Sequence, residues 1–484
     1  MLEPSVVAAL SAVLPAAALL TTPEETRPYE CDGLTLYRQR PSAVLLPDTE
    51  AQVIEILKCC HAAQVPVVAR GAGTSLSGGA MPAADGIVLS LAKFKRILAL
   101  DPLARTAVVQ PGVRNIAISE AAAAHGLFYA PDPSSQIACT IGGNVAENAG
   151  GVHCLKYGLT VHNVRKVRGV LITGEIVEFG GESLDSAGFD LLALINGSEG
   201  LLAVMTEITV KLLAKPQRAQ IALAAFDSIE AAGAAVGAII GAGIVPGGLE
   251  MMDRAATRAV EQFVHAGYPL DAAALLLVEA DGTNEEVASE MAAIERVLRV
   301  HGATEIRVSK DEAQRLLYWS GRKAAFPAVG RISPDYYCID GTIPRRALPQ
   351  VLTQIARWSD ELGLACANVF HAGDGNLHPL ILFDAGKPGD KERTIEFGDR
   401  ILALCIAVGG TITGEHGVGV EKLSGMCLQF AEAERERFLA IKSAFDPDGL
   451  LNPGKAIPTL ARCAEFGHMH VHRGELAHAD LPRF

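Results

Sequence analysis

The stretch VPVVARGAGTSLSGGA, residues 65–80, starts as an apolar, β-branched run and breaks into a loop with glycines at 71, 73, 78 and 79. A strand that feeds a glycine-rich loop invites a dinucleotide-fold reading, and the residues refuse it twice. A G-x-G-x-x-G pattern begun at Gly71 and Gly73 needs glycine at position 76, which is Leu76. Beyond Gly78, Gly79 and Pro82 the chain enters GIVLSL, residues 86–91, a second strand where a Rossmann unit requires a helix N-terminus beneath the pyrophosphate. Successive glycine N–H groups can instead form an anion-binding nest with no helix. The other reading is a plain connection between strands; glycine's freedom to bring backbone close to a ligand favours the nest.

Two more small-residue stretches point the same way. DPSSQIACTIGGNVAENAGGVHCLKYG, residues 132–158, has few charges and the pairs Gly142-Gly143 and Gly150-Gly151. It is too long and too apolar for a solvent loop and reads as backbone that a large planar ligand approaches closely. NGSEGLLAVMTEITVKL, residues 196–212, sets Gly197, Ser198 and Gly200 just before a strand. Together the three suggest one extended nucleotide cofactor, which spacing alone does not name.

A different signal is HAGDGNLH, residues 371–378, between the apolar runs CANVF and PLILF in a chain with 13 histidines. Two apolar runs joined by Asp-Gly predict a β-hairpin with a two-residue turn at Asp374-Gly375. Counting outward sets Gly373 against Asn376, Ala372 against Leu377 and His371 against His378. Opposed residues share a face with Cβ atoms about 4.5–5.5 Å apart, so the two imidazoles can grip one metal ion. Two ordinary sheet histidines are the alternative. Asn376, on the turn, is placed to hydrogen-bond a substrate or simply to form the turn.

The bulk numbers bound the answer. At 484 residues the chain exceeds one hydrophobic core, and 49% hydrophobic with 20% charged residues is globular. A net charge of −13 argues against nucleic acid as partner. No transmembrane segment is expected: SVVAALSAVLPAAALL, residues 5–20, is too short, is broken by Pro15 and comes after Glu3, and is read as a docked or amphipathic helix, with a signal peptide as the alternative. Ten cysteines without any C-x-x-C predict reduced thiols, a cytoplasmic home and no local iron–sulfur motif. The tail HMHVH, with His468, His470 and His472, mimics a metal strip but is read as a solvated terminal tract.

Along the chain we expect an N-terminal helical segment over 1–36 and an α+β cofactor domain over 37–215. A substrate cap with the metal site would occupy 216–425, and a C-terminal return to the cofactor domain 426–484. Within the cap, strand–helix–strand occurs twice (AQIALAAFD to PGGLEMMD, then AALLLVEADG to TEIRVS), which predicts a ferredoxin-like plait with antiparallel strands, extended by YYCIDGTIP and the histidine hairpin.

VVARGAGTSLSGGA, PDPSSQIACTIGGNVAENAGG, NGSEGLLAVMTEITVKLL, NVFHAGDGNLHPLILFD, ITGEHGVGVEK and FDPDGLLNPGK resemble the FAD-linked oxidases with a vanillyl-alcohol-oxidase-type FAD domain. Within them the likeness is to the branch that supplies the FAD-linked subunit of bacterial glycolate oxidases (glycolate dehydrogenases). It runs from about residue 38 to the C-terminus. The resemblance implies FAD between two subdomains, a plait-like cap, and oxidation of glycolate, or of an (R)-2-hydroxy acid, to the 2-oxo acid. D-lactate or D-2-hydroxyglutarate dehydrogenase is the alternative within the family. Iron–sulfur and second flavin-type subunits are implied as partners that carry electrons away, with attachment to the inner membrane through them.

Oxidising a 2-hydroxy acid needs a hydride acceptor, a base, a carboxylate clamp and a means of acidifying the hydroxyl, which a divalent metal such as zinc, manganese or iron supplies. To His371 and His378 the resemblance adds Glu415 as third metal ligand and His416 as catalytic base. Neighbours in a regular strand face oppositely, so Gly414 and Gly417 must bend the chain there. Arg322 matches the family's position for the substrate carboxylate, which a guanidinium fork suits, and Lys323 adjoins it. Related 2-hydroxyglutarate enzymes carry hydroxyl and lysine contacts for a second carboxylate; here Phe326 and Cys338 stand roughly in their place, which favours glycolate. For FAD the resemblance carries over Arg70, Gly71, Ala72, Gly73, Thr74, Ser75, Ser77 and Gly78 on the pyrophosphate side. Pro131, Asp132, Ser135, Gly142, Gly143, Asn144 and Asn148 would lie along the flavin, with Glu199 and Asn452 added; an Asx turn before Pro453 is the other reading of Asn452. A metal hydrolase with structural glycine loops, or a non-catalytic scaffold subunit, are the readings from other classes.

Overall fold

The computed structural model describes residues 2–183 and 188–459 and two short strands, Val471–His472 and Glu475–Leu476. Of the tail histidines, read as a solvated tract, His468 and His470 fall outside the described residues. Among those described, no helix is long and apolar enough to cross a membrane. The chain forms two compact units. One comprises the chain through Gly150, residues 159–214 and the part from His416 onward; the other comprises Gly151–Gly158 and Lys215–Glu415.

In the first unit, the strand Val67–Arg70 runs parallel to Ile87–Ser90, which runs parallel to Ala43–Leu45. The intervening residues 71–86 contain no helix, as the missing third glycine predicts. The helix Glu50–Ala62 starts where the Thr49 hydroxyl accepts from the Gln52 N–H at 3.3 Å. Its Val53, Ile56, Leu57 and Cys60 recur at helical spacing and are buried. Against this stripe packs the N-terminal helix Pro4–Val13 through Val6 and Leu10, and Leu19–Leu20 completes the sheet as an antiparallel edge. The docked-helix expectation for residues 5–20 is met in part: the helix ends before Pro15, and the chain continues as an edge strand. A second sheet of five antiparallel strands runs in the order Ile97–Asp101, Thr106–Val109, Val204–Lys211, Val164–Val170, Ile176–Gly180. The stretch 132–158 is not loop throughout, since Ile141–Glu147 and Cys154–Tyr157 are helical.

The second unit is built on a seven-stranded sheet in which every neighbouring pair is antiparallel. Its strands run in the order Glu305–Val308, Arg218–Phe226, Ala274–Gly282, Gly248–Asp253, Cys366–Phe370, Pro379–Phe383, Asp335–Cys338. The first four, numbered by chain position, stand in the order four, one, three, two, which is the ferredoxin-like plait. The helices Ile229–Gly241 and Asn284–Val300 connect plait strands, and Arg254–Val264 is an added helix within the motif. The last three strands extend the sheet as anticipated.

The hairpin register differs from the sequence expectation. Asn368 pairs with Pro379 and His371 with Asn376, so His378 stands opposite Val369 and not opposite His371. Residues 372–375 form the loop, four residues where two were expected. The Asp374 carboxylate accepts the Asn376 N–H at 3.0 Å, and the Gly375 N–H donates to the His371 carbonyl at 3.0 Å. The loop is held from outside: Gly373 N–H donates to Leu249 O, and Gly375 O accepts from Ile343 N–H, each at 3.0 Å. Because the slip is two residues and side chains alternate with period two, both histidines keep the same face, now as diagonal neighbours.

Candidate active site

In the second unit the imidazoles of His371 and His378 lie edge to face with ring centroids 5.1 Å apart. The Nε2 atoms of both come to 3.2 Å from Glu415 Oε1, and the three candidate donor atoms all lie within 4.8 Å of one another. Two imidazoles and a carboxylate at this separation suit a divalent transition ion with an open position for substrate. The expected ligand triad is therefore brought together.

Each donor is aimed by a neighbour. Met251 pairs with Phe370 across the sheet; continuing that register by one residue puts Glu250 opposite His371. Glu250 Oε1 sits 2.6 Å from His371 Nδ1, and Oε2 accepts from Arg322 Nε at 2.6 Å. Glu415 is presented by a turn organised on buried Asp340. The Asp340 carboxylate accepts from the Thr413 hydroxyl at 2.6 Å and from the N–H groups of Gly414 and Glu415 at 3.1 and 3.2 Å. A Cβ on Gly414 would fall 2.4 Å from the Asn376 side chain, so glycine lets this turn lie against the hairpin loop. Asn376 Oδ1 is buried and accepts no hydrogen bond among the described residues, which is consistent with a role toward a bound hydroxyl.

The electrostatics match a cation site. Burial disfavours the charged form of His371, but the carboxylates of Glu250 and Glu415 outweigh it and hold its pKa well above the ordinary value. His378 is raised in the same way, with burial opposed by Asp340 and Glu415. Burial would raise the Glu415 carboxyl, yet His371 and His378 hold it well below its usual range. Positive charge is thus favoured where a metal ion would sit.

Arg322 occupies the last turn of the helix Glu312–Lys323 and is 1% exposed, which rules out the surface-pair reading for it, while Lys323 beside it is exposed. Phe326 packs its ring against Tyr336, and Cys338 is buried at the end of its strand. His416 directly succeeds Glu415 in the chain and is the first residue of the other unit's C-terminal part.

The glycine-rich residues assemble within the first unit. Arg70 ends its strand and donates from Nη1 to the Cys31 carbonyl at 2.8 Å. The backbone N–H groups of Ala72, Gly73, Thr74 and Ser75 donate to no protein acceptor among the described residues. A Cβ at Gly73 would overlap the Arg70 guanidinium. Four consecutive amides beside an arginine fit a diphosphate. Ser77 is buried, and its carbonyl accepts from the N–H groups of Val420 and Glu421 at 3.0 and 3.2 Å. Gly78, with φ +78°, would drive a Cβ into Val420.

The remaining expected residues line the same unit. Pro131 O and Asn144 Oδ1 each accept from the Asn115 amide at 3.0 Å; Asp132 is buried, and the Ser135 carbonyl caps the turn at Cys139. Gly142 donates to Pro111 O at 2.9 Å, and a Cβ on Gly143 would meet only Thr140 Oγ1 at 3.5 Å. Asn148, Glu199 and Asn452 all take left-handed backbone conformations, with φ of +50°, +50° and +43°, the kind of conformation that clusters at ligand sites. The Asx-turn reading of Asn452 gives way to a long-range clamp: its amide donates to the carbonyls of Gly79 and Glu199. The Glu199 carboxylate accepts from the Val418 and Gly419 N–H groups at 2.7 Å each.

The sequence reading did not single out Glu250, Asp340 or Asn115. The only signal for the first two was an acid beside apolar residues, in GGLEMMD and YYCIDG.

The model described as "FAD binding domain" matches residues 41–180, and that described as "FAD linked oxidases, C-terminal domain" matches residues 215–456. Glycolate oxidase subunit GlcD of Escherichia coli (strain K12) is 61% identical over 99% of this chain and 96% of its own length. GlcD of Bacillus subtilis (strain 168) is 38% identical over 90% and 93%. D-lactate dehydrogenase of Archaeoglobus fulgidus is 34% identical over 86% and 91%. Among solved structures, 4-ethylphenol oxidase from Gulosibacter chungangensis superposes with a TM-score of 0.78 at 17% identity, over 94% of this chain and 97% of that one, and so shares the fold. The chain belongs to the FAD-linked oxidases, as an FAD-dependent oxidoreductase with a ferredoxin-like plait as its second unit.

Proposed function

We propose that this chain oxidises glycolate to glyoxylate as the flavin-bearing subunit of a larger enzyme. One observation carries the reading: a three-donor site of His371, His378 and Glu415 lies beside a fully buried arginine, with His371 and Arg322 hydrogen-bonded to the same carboxylate. A 2-hydroxy acid offers a carboxylate and a hydroxyl on adjacent carbons, which matches an arginine fork next to a metal-type site. The relative at 61% identity is named for glycolate.

Bound FAD supplies the hydride acceptor, and a divalent ion held by His371, His378 and Glu415 supplies the Lewis acid that lowers the hydroxyl pKa. Arg322 binds and orients the substrate carboxylate. The Asn376 side-chain amide hydrogen-bonds the substrate. His416, next to Glu415 in the chain, takes the hydroxyl proton on an imidazole nitrogen as the hydrogen on the carbinol carbon leaves with its electron pair. Arg70 and the amides of residues 72–75 would hold the pyrophosphate of FAD, and the segments around Pro131–Asn148 would line the flavin. Electrons then leave through partners, for which we propose iron–sulfur and second flavin-type subunits. The relatives' designation as a subunit and ten cysteines without a C-x-x-C support this.

The test is an anaerobic titration of the purified yellow protein with glycolate, D-lactate and L-lactate, with and without chelator. Glycolate should bleach the flavin, and chelator should slow it. Bleaching by D-lactate alone would move the activity to that of the D-lactate dehydrogenase relatives. A colourless protein would refute the flavin assignment.

A further inference from the structure

The two halves of the proposed site meet on one side chain that neither the family reading nor the ligand triad includes. Glu250 is 1% exposed and faces two basic groups, one per oxygen: His371 Nδ1 on Oε1 and Arg322 Nε on Oε2, both at 2.6 Å. The sheet sets its position. Glu250 lies on the strand Gly248–Asp253, directly across from the start of the histidine loop, while Arg322 arrives from the end of the helix Glu312–Lys323.

We infer that Glu250 is a positioning residue that couples the metal site to the substrate-carboxylate clamp, an inference resting on the function proposed above. The argument is one of hydrogen-bond roles. An imidazole that binds an ion through Nε2 must carry its proton on Nδ1, and an acceptor at Nδ1 fixes that tautomer and the ring plane. Glu250 Oε1 is that acceptor. A guanidinium bound at Nε keeps its two Nη groups as a planar fork whose direction is set by the Nε partner. Glu250 Oε2 is that partner. Only a carboxylate of this length accepts from both at once. A glutamine has a single acceptor oxygen, so one of the two groups loses its partner. Aspartate keeps both oxygens and the charge but is one methylene shorter.

The coupling is read with the full-length, FAD-loaded chain, stripped of metal by chelator and titrated with zinc in a calorimeter. Glu250→Gln should bind zinc about 10- to 100-fold more weakly. With zinc saturating, its KM for glycolate should rise tenfold or more with a smaller change in kcat. Glu250→Asp serves as the variant that retains the buried charge; it should keep bound FAD and show the same two effects to a smaller degree. A merely structural role would lower thermal stability and flavin content but would not move zinc affinity and KM together. Wild-type zinc affinity and wild-type KM in a folded Glu250→Asp or Glu250→Gln protein would overturn the inference. A wild-type chain that takes up no divalent ion would instead overturn the metal-assisted function, and this inference with it.

Discussion

At His371 three constraints converge: a strand end, a carboxylate behind the ring and a carboxylate in front of it. The chemistry proposed for its neighbours can be tested one side chain at a time. His416→Ala removes the assigned base and leaves the amides of residues 72–75 untouched, so the protein should stay yellow. Its flavin reduction by glycolate should slow by roughly 10²- to 10⁴-fold, the usual scale for a general base. Stopped-flow absorbance measures this, and reduction at the normal rate would remove His416 from the mechanism. Glu415→Gln replaces the carboxylate that both Nε2 atoms approach at 3.2 Å. Its metal content by elemental analysis should fall well below one ion per chain; unchanged occupancy would strike Glu415 from the ligand set. The residues themselves pointed to His371 and His378 as a pair, and only the family resemblance added Glu415 to them. They did not single out Glu250 or Asp340, because an acid in an apolar run looks the same in sequence whether it faces a ligand or caps a turn.

At the scale of the element, the histidine loop shows how the hairpin differs from its sequence pattern. Asp-Gly is a strong two-residue turn signal, and here it sits inside a four-residue loop. Hydrogen bonds to Leu249 O and from Ile343 N–H hold the longer loop from outside. Gly375 is the residue on which this depends: its φ is +85°, and a Cβ would fall 2.1 Å from Ile343 O. Gly375→Ala should therefore cost roughly 1–3 kcal/mol or more from backbone strain and overlap. It should weaken zinc binding as the loop shifts. Thermal unfolding together with zinc titration checks both, and a variant as stable as wild type would show that the loop relaxes freely. The strand pattern itself was legible, because period-two alternation survives a slip of two residues even though the exact partner does not.

At the scale of the molecule, the second unit buries a second charge cluster, on the strand adjacent to that of Glu250. Glu279, 2% exposed, accepts from Arg315 Nη1 at 2.6 Å and Trp319 Nε1 at 2.5 Å and lies 3.1 Å from His153 Nε2. Burial opposes ionisation, but His153, Arg315 and Trp319 bring its pKa from 4.5 down to about 2. A carboxyl whose folded value lies below its unfolded value stabilises the protein above the unfolded pKa. That contribution, on the order of 3 kcal/mol, is lost as pH falls from about 4.5 to 2. Glu279→Gln should flatten the dependence of stability on pH across that window and lower stability near neutrality, as measured by chemical denaturation at a series of pH values. A slope equal to wild type would show that the cluster does not set the acid limit. His153 reaches Glu279 from the excursion Gly151–Gly158, which leaves the first unit at Gly150 and returns to it at Leu159. Neither spacing nor composition announced that crossing.

By itself the sequence determined the class of each part. A missing third glycine and a second strand directly after the loop excluded the Rossmann unit, two strand–helix–strand repeats specified the plait, and histidines flanking an Asp-Gly loop marked a candidate metal site. These are local matters, decided by backbone freedom, side-chain periodicity and residue type within a few positions. Only the tertiary structure decided which groups meet: Glu250 between His371 and Arg322, Asp340 under the Glu415 turn, Asn452 across Gly79 and Glu199. Each of these joins residues dozens to hundreds of positions apart. Such pairings depend on sheet order and strand register, which packing of the whole core sets.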